Sequence, residues 1–123
     1  MFKNIYTHLF AKQTIFLIII GSIPGAILRW QFNNDVFVNV FGSAFLGLIL
    51  GLNVNRNIQL LLAVGFCGSF TTFSGWIGSV LELILNGLFL QAFVLTFFTL
   101  LAGFFALTLG FMFGKRIRYS FHP

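Results

Sequence analysis

Apolar and polar positions fall in long blocks along this chain rather than in short alternating periods. Residues 14–30 are apolar, interrupted by Gly21, Pro24 and Gly25, and run into the polar stretch RWQFNND at 29–35. A second block, 36–52, closes on NVNRN at 53–57. A third, 58–86, is long for one crossing, and a fourth, 88–114, runs into a basic tail. One crossing of the roughly 30 Å hydrocarbon layer takes about 20 apolar residues. The pattern therefore predicts an all-α membrane protein, a single domain over residues 1–123 with four transmembrane helices. Residues 1–13, mixed and polar, read as a short interfacial arm. Barrel strands would alternate with period two, and this chain does not, which leaves helices as the way to satisfy the backbone in lipid.

The third block carries the sharpest local signal. Its middle, GFCGSFTTFSGWIG at 65–78, mixes glycine with Ser and Thr. Hydroxyl and β-branched residues compete with the helical ladder, and glycine loosens it. A helix break is predicted near 68–72. At that depth, irregular backbone is tolerated only where it is buried or lines a polar site. Freed carbonyls suit a cation and half-helix N-termini suit an anion. The spacings Gly21/Gly25, Gly47/Gly51 and Gly110/Gly114 predict close helix packing.

Composition fixes the solvent. Charged residues are 7% of the chain against about 25% in soluble domains, and the mean hydropathy is +1.01. The net charge of +5 does not indicate nucleic-acid binding, because no basic face exists outside the termini. It maps instead onto topology. With four spans, Lys3, Lys12, Arg56, Lys115, Arg116 and Arg118 share one side and only Arg29 lies on the other. That bias places both termini in the cytoplasm and the chain in the cell membrane. The first block follows Lys3 and Lys12 but has no small-x-small cleavage site, so it reads as a retained helix. Cys67 stands alone in an apolar setting and reads as a small buried hydrophobe.

Catalysis finds no support. Asp35 and Glu82 fall in different elements, and His8 and His122 are both terminal. The polar residues inside the spans need another reason. They are Asn39, Ser43, the 68–74 segment, Glu82, Thr96, Thr99 and Thr108. Asn39 is either a packing hydrogen bond or an amide donor facing an anion.

GFCGSFTTFSGW at 65–76 resembles the central motif of the Fluc (CrcB) fluoride channel family, usually GFCGGxTTFSTF. GSIPGAILRW at 21–30 is similar to that family's first helix, and VNVFGSAFLG at 38–47 to its second. Order, spacing and length match over essentially the whole chain. The resemblance implies a passive fluoride-specific channel that lowers cytoplasmic fluoride. It implies four helices per subunit with the third broken, and two subunits packed antiparallel with fluoride pathways along their interface. A structural, untransported sodium ion is implied at the dimer centre. By position, Gly68 and Thr71 correspond to sodium sites through their backbone carbonyls. Asn39, Phe73, Ser74, Trp76 and Thr99 fall in the pore, and Arg29 falls at the vestibule. The residue types suit the task. Amides and hydroxyls replace the water of a strongly hydrated anion, an aromatic edge carries partial positive charge, and neutral donors hold an ion weakly enough to release it.

Several positions depart from that pattern. The second Gly of the GG pair is Ser69, and the second Phe of the box is Trp76. The glutamate expected three residues later falls on Ser79, with Glu82 one turn beyond. The Thr expected four residues before the pore Asn is Asp35. On the fourth helix a Tyr and a Ser fall on Leu95 and Thr99. A subunit that inserts in both orientations has balanced Lys and Arg, and six against one is not balanced. The partner expected is thus a second copy or, better matching the charge, an oppositely oriented paralogue in a heterodimer. The competing readings are a small four-helix multidrug or cation exporter, whose first-span carboxylate this chain lacks, and a non-conducting partner subunit.

Overall fold

The computed structural model describes residues 2–121, with side chains from Phe10 onward. His122 lies outside the described residues, as do the side chains of Lys3 and His8. Four stretches are long and apolar enough to cross a bilayer: Phe10–Phe32, Asp35–Leu52, Arg56–Leu85 and Phe89–Phe121. Helix α1 is Phe2–Phe32 and α2 is Asp35–Leu52. The third crossing has two arms. Arm α3 runs through Arg56–Ile58, a π-helical stretch Gln59–Cys67, and Gly68–Phe70. Arm α4 is Phe73–Leu85, and α5 is Phe89–Phe121.

Two outer helices overrun their predicted spans. Residues 2–13 continue α1 as helix instead of forming a separate arm. At 33 residues, α5 is about 50 Å long at 1.5 Å per residue. Its basic end, Lys115 to Arg118, therefore stands beyond the hydrocarbon. Polarity marks where a helix leaves lipid; it does not stop the hydrogen-bond ladder.

Asparagine makes most of the turns. Asn34 caps α2 by accepting the Phe37 N–H at 2.9 Å. Asn33 and Asn53 take left-handed backbone, φ 41° and 51°, which Asn tolerates better than other side chains. Asn55 caps α3 by accepting the Ile58 N–H at 3.0 Å. The turn into α5 uses Gly87 at φ 74°.

Two glycine seams set the packing. In the first, α1 lies on α3: a Cβ on Gly21 would enter the Leu61 carbonyl, and one on Gly65 would stand 2.8 Å from the Ile18 carbonyl oxygen. In the second, α2 lies on α5, and the glycines are reciprocal. A Cβ on Gly47 would strike the Leu107 carbonyl, and one on Gly110 the Ala44 carbonyl. Gly51 and Gly114 repeat the arrangement one turn on, against Phe111 and Leu48. Backbones this close gain dispersion contacts, which drive association where lipid removes the hydrophobic force. Between the seams, Phe70 and Val38 are each 1% exposed. Phe70 stacks on Phe66 (5.5 Å) and meets Phe41 edge-on (6.1 Å), so the residue just before the break is wedged in place.

Candidate functional site

The break is two residues wide. Thr71 and Thr72 are extended, at φ/ψ −75°/152° and −136°/118°, while the helix runs on to Phe70 and restarts at Phe73. Thr71 stays tied to the end of α3, its N–H and its hydroxyl both donating to the Cys67 carbonyl at 3.0 and 2.9 Å. Thr72 begins α4, its hydroxyl accepting the Gly75 N–H at 3.1 Å. The nine-residue π-helical run before the break has no evident cue in its apolar sequence. Such runs in helices are frequent at functional sites.

Asn39 holds the break open. Its Oδ1 accepts the Thr72 N–H at 2.8 Å, and its Nδ2 donates to the Thr72 carbonyl at 2.9 Å. The Thr72 N–H would otherwise close an i→i−4 bond to Gly68. The packing reading of Asn39 therefore holds, and the residue also lines the cavity described below. An amide has two N–H groups, and among the described residues only one of them is used.

Breaking the ladder frees carbonyls. Among the described residues, nothing donates to the carbonyl oxygens of Gly68, Ser69, Phe70 or Thr71. They sit at the C-terminal end of α3, where the helix dipole is negative. A Cβ built on Gly68 meets nothing within 4 Å, so the chain's own atoms leave this end open.

A cavity of about 510 Å³ adjoins the break. It is walled by Asn39, Gly42 and Ser43 of α2, by Cys67 to Phe73 with the exception of Ser69 and Phe70, by Trp76 of α4, and by Thr99, Leu100, Gly103 and Phe104 of α5. Ala63, Leu46 and Leu107 complete it, and none of these residues carries a charge. The predicted residues Asn39, Gly68, Thr71, Phe73, Trp76 and Thr99 thus meet at one place. Ser74 and Arg29 do not: both are exposed and neither lines the cavity. Ser74 follows Phe73 at the start of α4 and points elsewhere on that turn, and Arg29 lies in the last turn of α1. Thr99 is 7% exposed. Thr96 and Thr108 bond back to their own helix at 2.9 Å, whereas among the described residues the Thr99 hydroxyl has no such bond. Phe73, 73% exposed, stands at the rim with its ring 5.7 Å from that of Trp76.

One contact was not legible beforehand. The Ser79 hydroxyl donates to Asp35 Oδ2 and to the Gly75 carbonyl, both at 3.3 Å. A Cβ on Gly75 would stand 2.9 Å from the Asp35 carboxyl carbon, so glycine there lets the carboxylate lie against α4. The family pattern has a hydroxyl at 35 and a carboxylate at 79. In this chain the residue types at the two positions are reversed, and the two side chains touch.

These features define a class: a multi-pass helical membrane protein with an uncharged cavity, lined by both donors and free carbonyls, beside a break in its third crossing. The chain matches the family described as CrcB-like protein, Camphor Resistance (CrcB), over residues 16–111. It is 54% identical over 109 residues to "Fluoride-specific ion channel FluC 1" of Prochlorococcus marinus (strain SARG), covering 89% of this chain and 88% of that one. It is 46% identical over 106 residues to "Fluoride-specific ion channel FluC 2" of Prochlorococcus marinus (strain MIT 9313), 86% of each chain. A FluC 2 of Synechococcus sp. (strain CC9902) is 44% identical over 111 residues, 86% of this chain and 83% of that one. The chain belongs to the CrcB family, whose relatives here are named as ion channels and not as enzymes.

Proposed function

We propose that this chain is a subunit of a passive fluoride-specific channel that lets fluoride leave the cell, and that fluoride passes the cavity at the helix break. The observation that carries the reading is the cavity's donor set. Asn39 has an N–H to spare and Thr99 an unengaged hydroxyl, in a wall without a single charge. Neutral donors replace water around a small anion, yet bind it loosely enough to let it go. The ring edge of Phe73 adds a weakly positive wall at the rim. Ser74 and Arg29 serve the approach to the pathway and not its narrow part.

The free carbonyls at the end of α3 fit a structural sodium ion. The Gly68 and Thr71 oxygens are the ligands, uncharged oxygen donors at the negative end of a helix. When bound, the ion supplies positive charge that pins the two arms of the break. Two carbonyls from one chain are too few to enclose a cation, so a second subunit completes the shell. An antiparallel dimer meets that need. The charge bias of six against one favours an oppositely oriented paralogue as the partner. Relatives whose names carry the numerals 1 and 2 support a paired arrangement. Both termini of this chain are cytoplasmic on the same argument.

The test is reconstitution in liposomes loaded with sodium fluoride, with efflux followed by a fluoride electrode. The expected result is selective fluoride efflux when the chain is paired with its paralogue, and little from the chain alone. Robust efflux from the chain alone would remove the heterodimer. Absence of fluoride efflux from both preparations would remove the channel reading and leave a non-conducting subunit.

A further inference from the structure

Helix α5 presents a patterned face on the side turned away from α2. Phe105, Leu109, Met112, Arg116 and Tyr119 are spaced by four and three residues, which puts them on one side of the helix. That side lies opposite Gly110 and Gly114, the glycines that press on α2. Phe105, Leu109, Met112 and Tyr119 are each more than half exposed, and Arg116 is exposed as well. The stripe is apolar for two turns and then ends in cations. Lys115 and Arg118 stand beside Arg116, both exposed, and the Arg118 guanidinium lies 5.7 Å from the centre of the Tyr119 ring.

The neighbouring helix fixes the depth of these cations. With 18 residues, α2 is about 27 Å long, close to the roughly 30 Å of the hydrocarbon layer. A Cβ on Gly114 would stand 3.0 Å from the Leu52 nitrogen, so α5 passes the last residue of α2 where its basic run begins. Lys115, Arg116 and Arg118 therefore lie at the level of the lipid phosphates, and Tyr119 in the zone that aromatic residues favour. Among the described residues no counter-charge is at hand. The acidic side chains, Asp35 and Glu82, stand at the other end: Asp35 opens α2, and Glu82 lies beyond the break in α4. An inverted second copy of this chain has two carboxylates to set against three cations. An anionic lipid brings an acyl chain for the stripe and a phosphate for its end.

We propose that this face of α5 binds an anionic phospholipid, its acyl chain along Phe105, Leu109 and Met112 and its phosphate held by Lys115, Arg116 and Arg118. The stems of the basic side chains stay on apolar surface while their heads reach the phosphate. A guanidinium presents its donors in a planar fork that matches phosphate oxygens. None of these residues lines the cavity at the break, so the site is independent of the ion conducted.

The experiment is native mass spectrometry of the assembled protein, titrated with phosphatidylglycerol or with phosphatidylcholine of the same acyl chains. At a membrane surface each Lys or Arg changes binding to anionic lipid about fivefold. Arg116→Gln therefore weakens phosphatidylglycerol about fivefold and the triple variant Lys115→Gln/Arg116→Gln/Arg118→Gln about a hundredfold, with phosphatidylcholine unchanged in both. Because the triple variant also loses charges that orient the chain, a second measurement uses the parent and Arg116→Gln alone. Phosphatidylglycerol in nanodiscs raises the melting temperature of the parent over that in phosphatidylcholine, Arg116→Gln loses part of the rise, and inorganic phosphate added to phosphatidylcholine nanodiscs gives none. Equal binding of the two lipids overturns the proposal, as does a phosphatidylglycerol preference that survives in the triple variant. A rise with inorganic phosphate alone overturns it in favour of a free-anion site. A disulfide-linked dimer formed in the membrane by Met112→Cys overturns it too, since a second subunit then covers the face. Fluoride efflux is not a readout, so failure of the channel reading leaves each of these results distinct.

Discussion

Replacing Asn39 by alanine tests what keeps the third crossing broken. Two hydrogen bonds are lost, at 2.8 and 2.9 Å, but the losses are unequal. The Thr72 carbonyl opens α4 and keeps the first intrahelical bond of that arm. The Thr72 N–H keeps nothing, and Thr72 is 8% exposed. A buried orphan donor costs about 1–3 kcal/mol, while hydrogen bonds between helices in lipid average about 0.6 kcal/mol and reach about 1.7. The two ranges overlap at about 1–1.7 kcal/mol, and we take about 1.5 kcal/mol as the loss at Thr72. In hydrogen exchange that is about a tenfold faster exchange of the Thr72 amide, with the amides of the α2–α5 seam unchanged. Asn39→Asp separates structure from transport. A carboxylate still accepts the Thr72 N–H, so protection at Thr72 largely returns. It has no N–H to give an anion and adds a negative charge, so fluoride efflux does not return. The reasoning is refuted by an Asn39→Ala protein whose Thr72 amide exchanges as slowly as in the parent. The same holds if Thr72 is protected through a new bond to the Gly68 carbonyl, because the break would then have no need of Asn39.

Four further outcomes are expected. Thr99→Val removes a hydroxyl that makes no bond within the described chain, so the melting temperature stays within a degree or two while fluoride efflux falls about tenfold, the worth of a hydrogen bond to an ion. Gly47→Ala and Gly110→Ala each push a methyl into a carbonyl of the facing helix and cost about 1–3 kcal/mol by overpacking. The double variant costs clearly less than the sum, because one separation of α2 from α5 relieves both clashes; additive losses in an unfolding titration would show that the two glycines do not share one contact. Asp35→Asn keeps an acceptor for Ser79 and removes a negative charge one helical turn from Asn39, about 6 Å along the axis. At an effective dielectric of 20 that is about 3 kcal/mol before screening, so fluoride efflux rises several-fold, and more at low salt than at high. Sodium, but not equimolar N-methylglucamine, raises the melting temperature of the assembled protein, and a shift identical in both would remove the cation from the carbonyls of Gly68 and Thr71.

The sequence disclosed the fold wherever one physical rule dominated. Lipid forces every backbone group to find a partner, so apolar block length alone located four crossings. The same rule made GSFTTFS conspicuous, because a stretch that poorly sustains a helix has to be compensated by something else. What compensates it lies 33 positions away: the Asn39 amide takes both backbone groups of Thr72. No local pattern discloses such a pairing, since an isolated Asn in a span is equally good as a strut and as an ion ligand. The glycine spacings were visible, but which helix each pair served was not. Gly47/Gly51 and Gly110/Gly114 prove to be two halves of one seam, a fact about partners and not about either helix. Asp35 and Ser79 show the limit most clearly. Taken singly, each breaks a pattern and counts against the site. They lie 3.3 Å apart, so in this chain the two departures share one contact between α2 and α4. Trp76 is the departure that no such contact explains. Its nitrogen has no hydrogen-bond partner among the described residues, and nothing in the contacts of the chain explains the change.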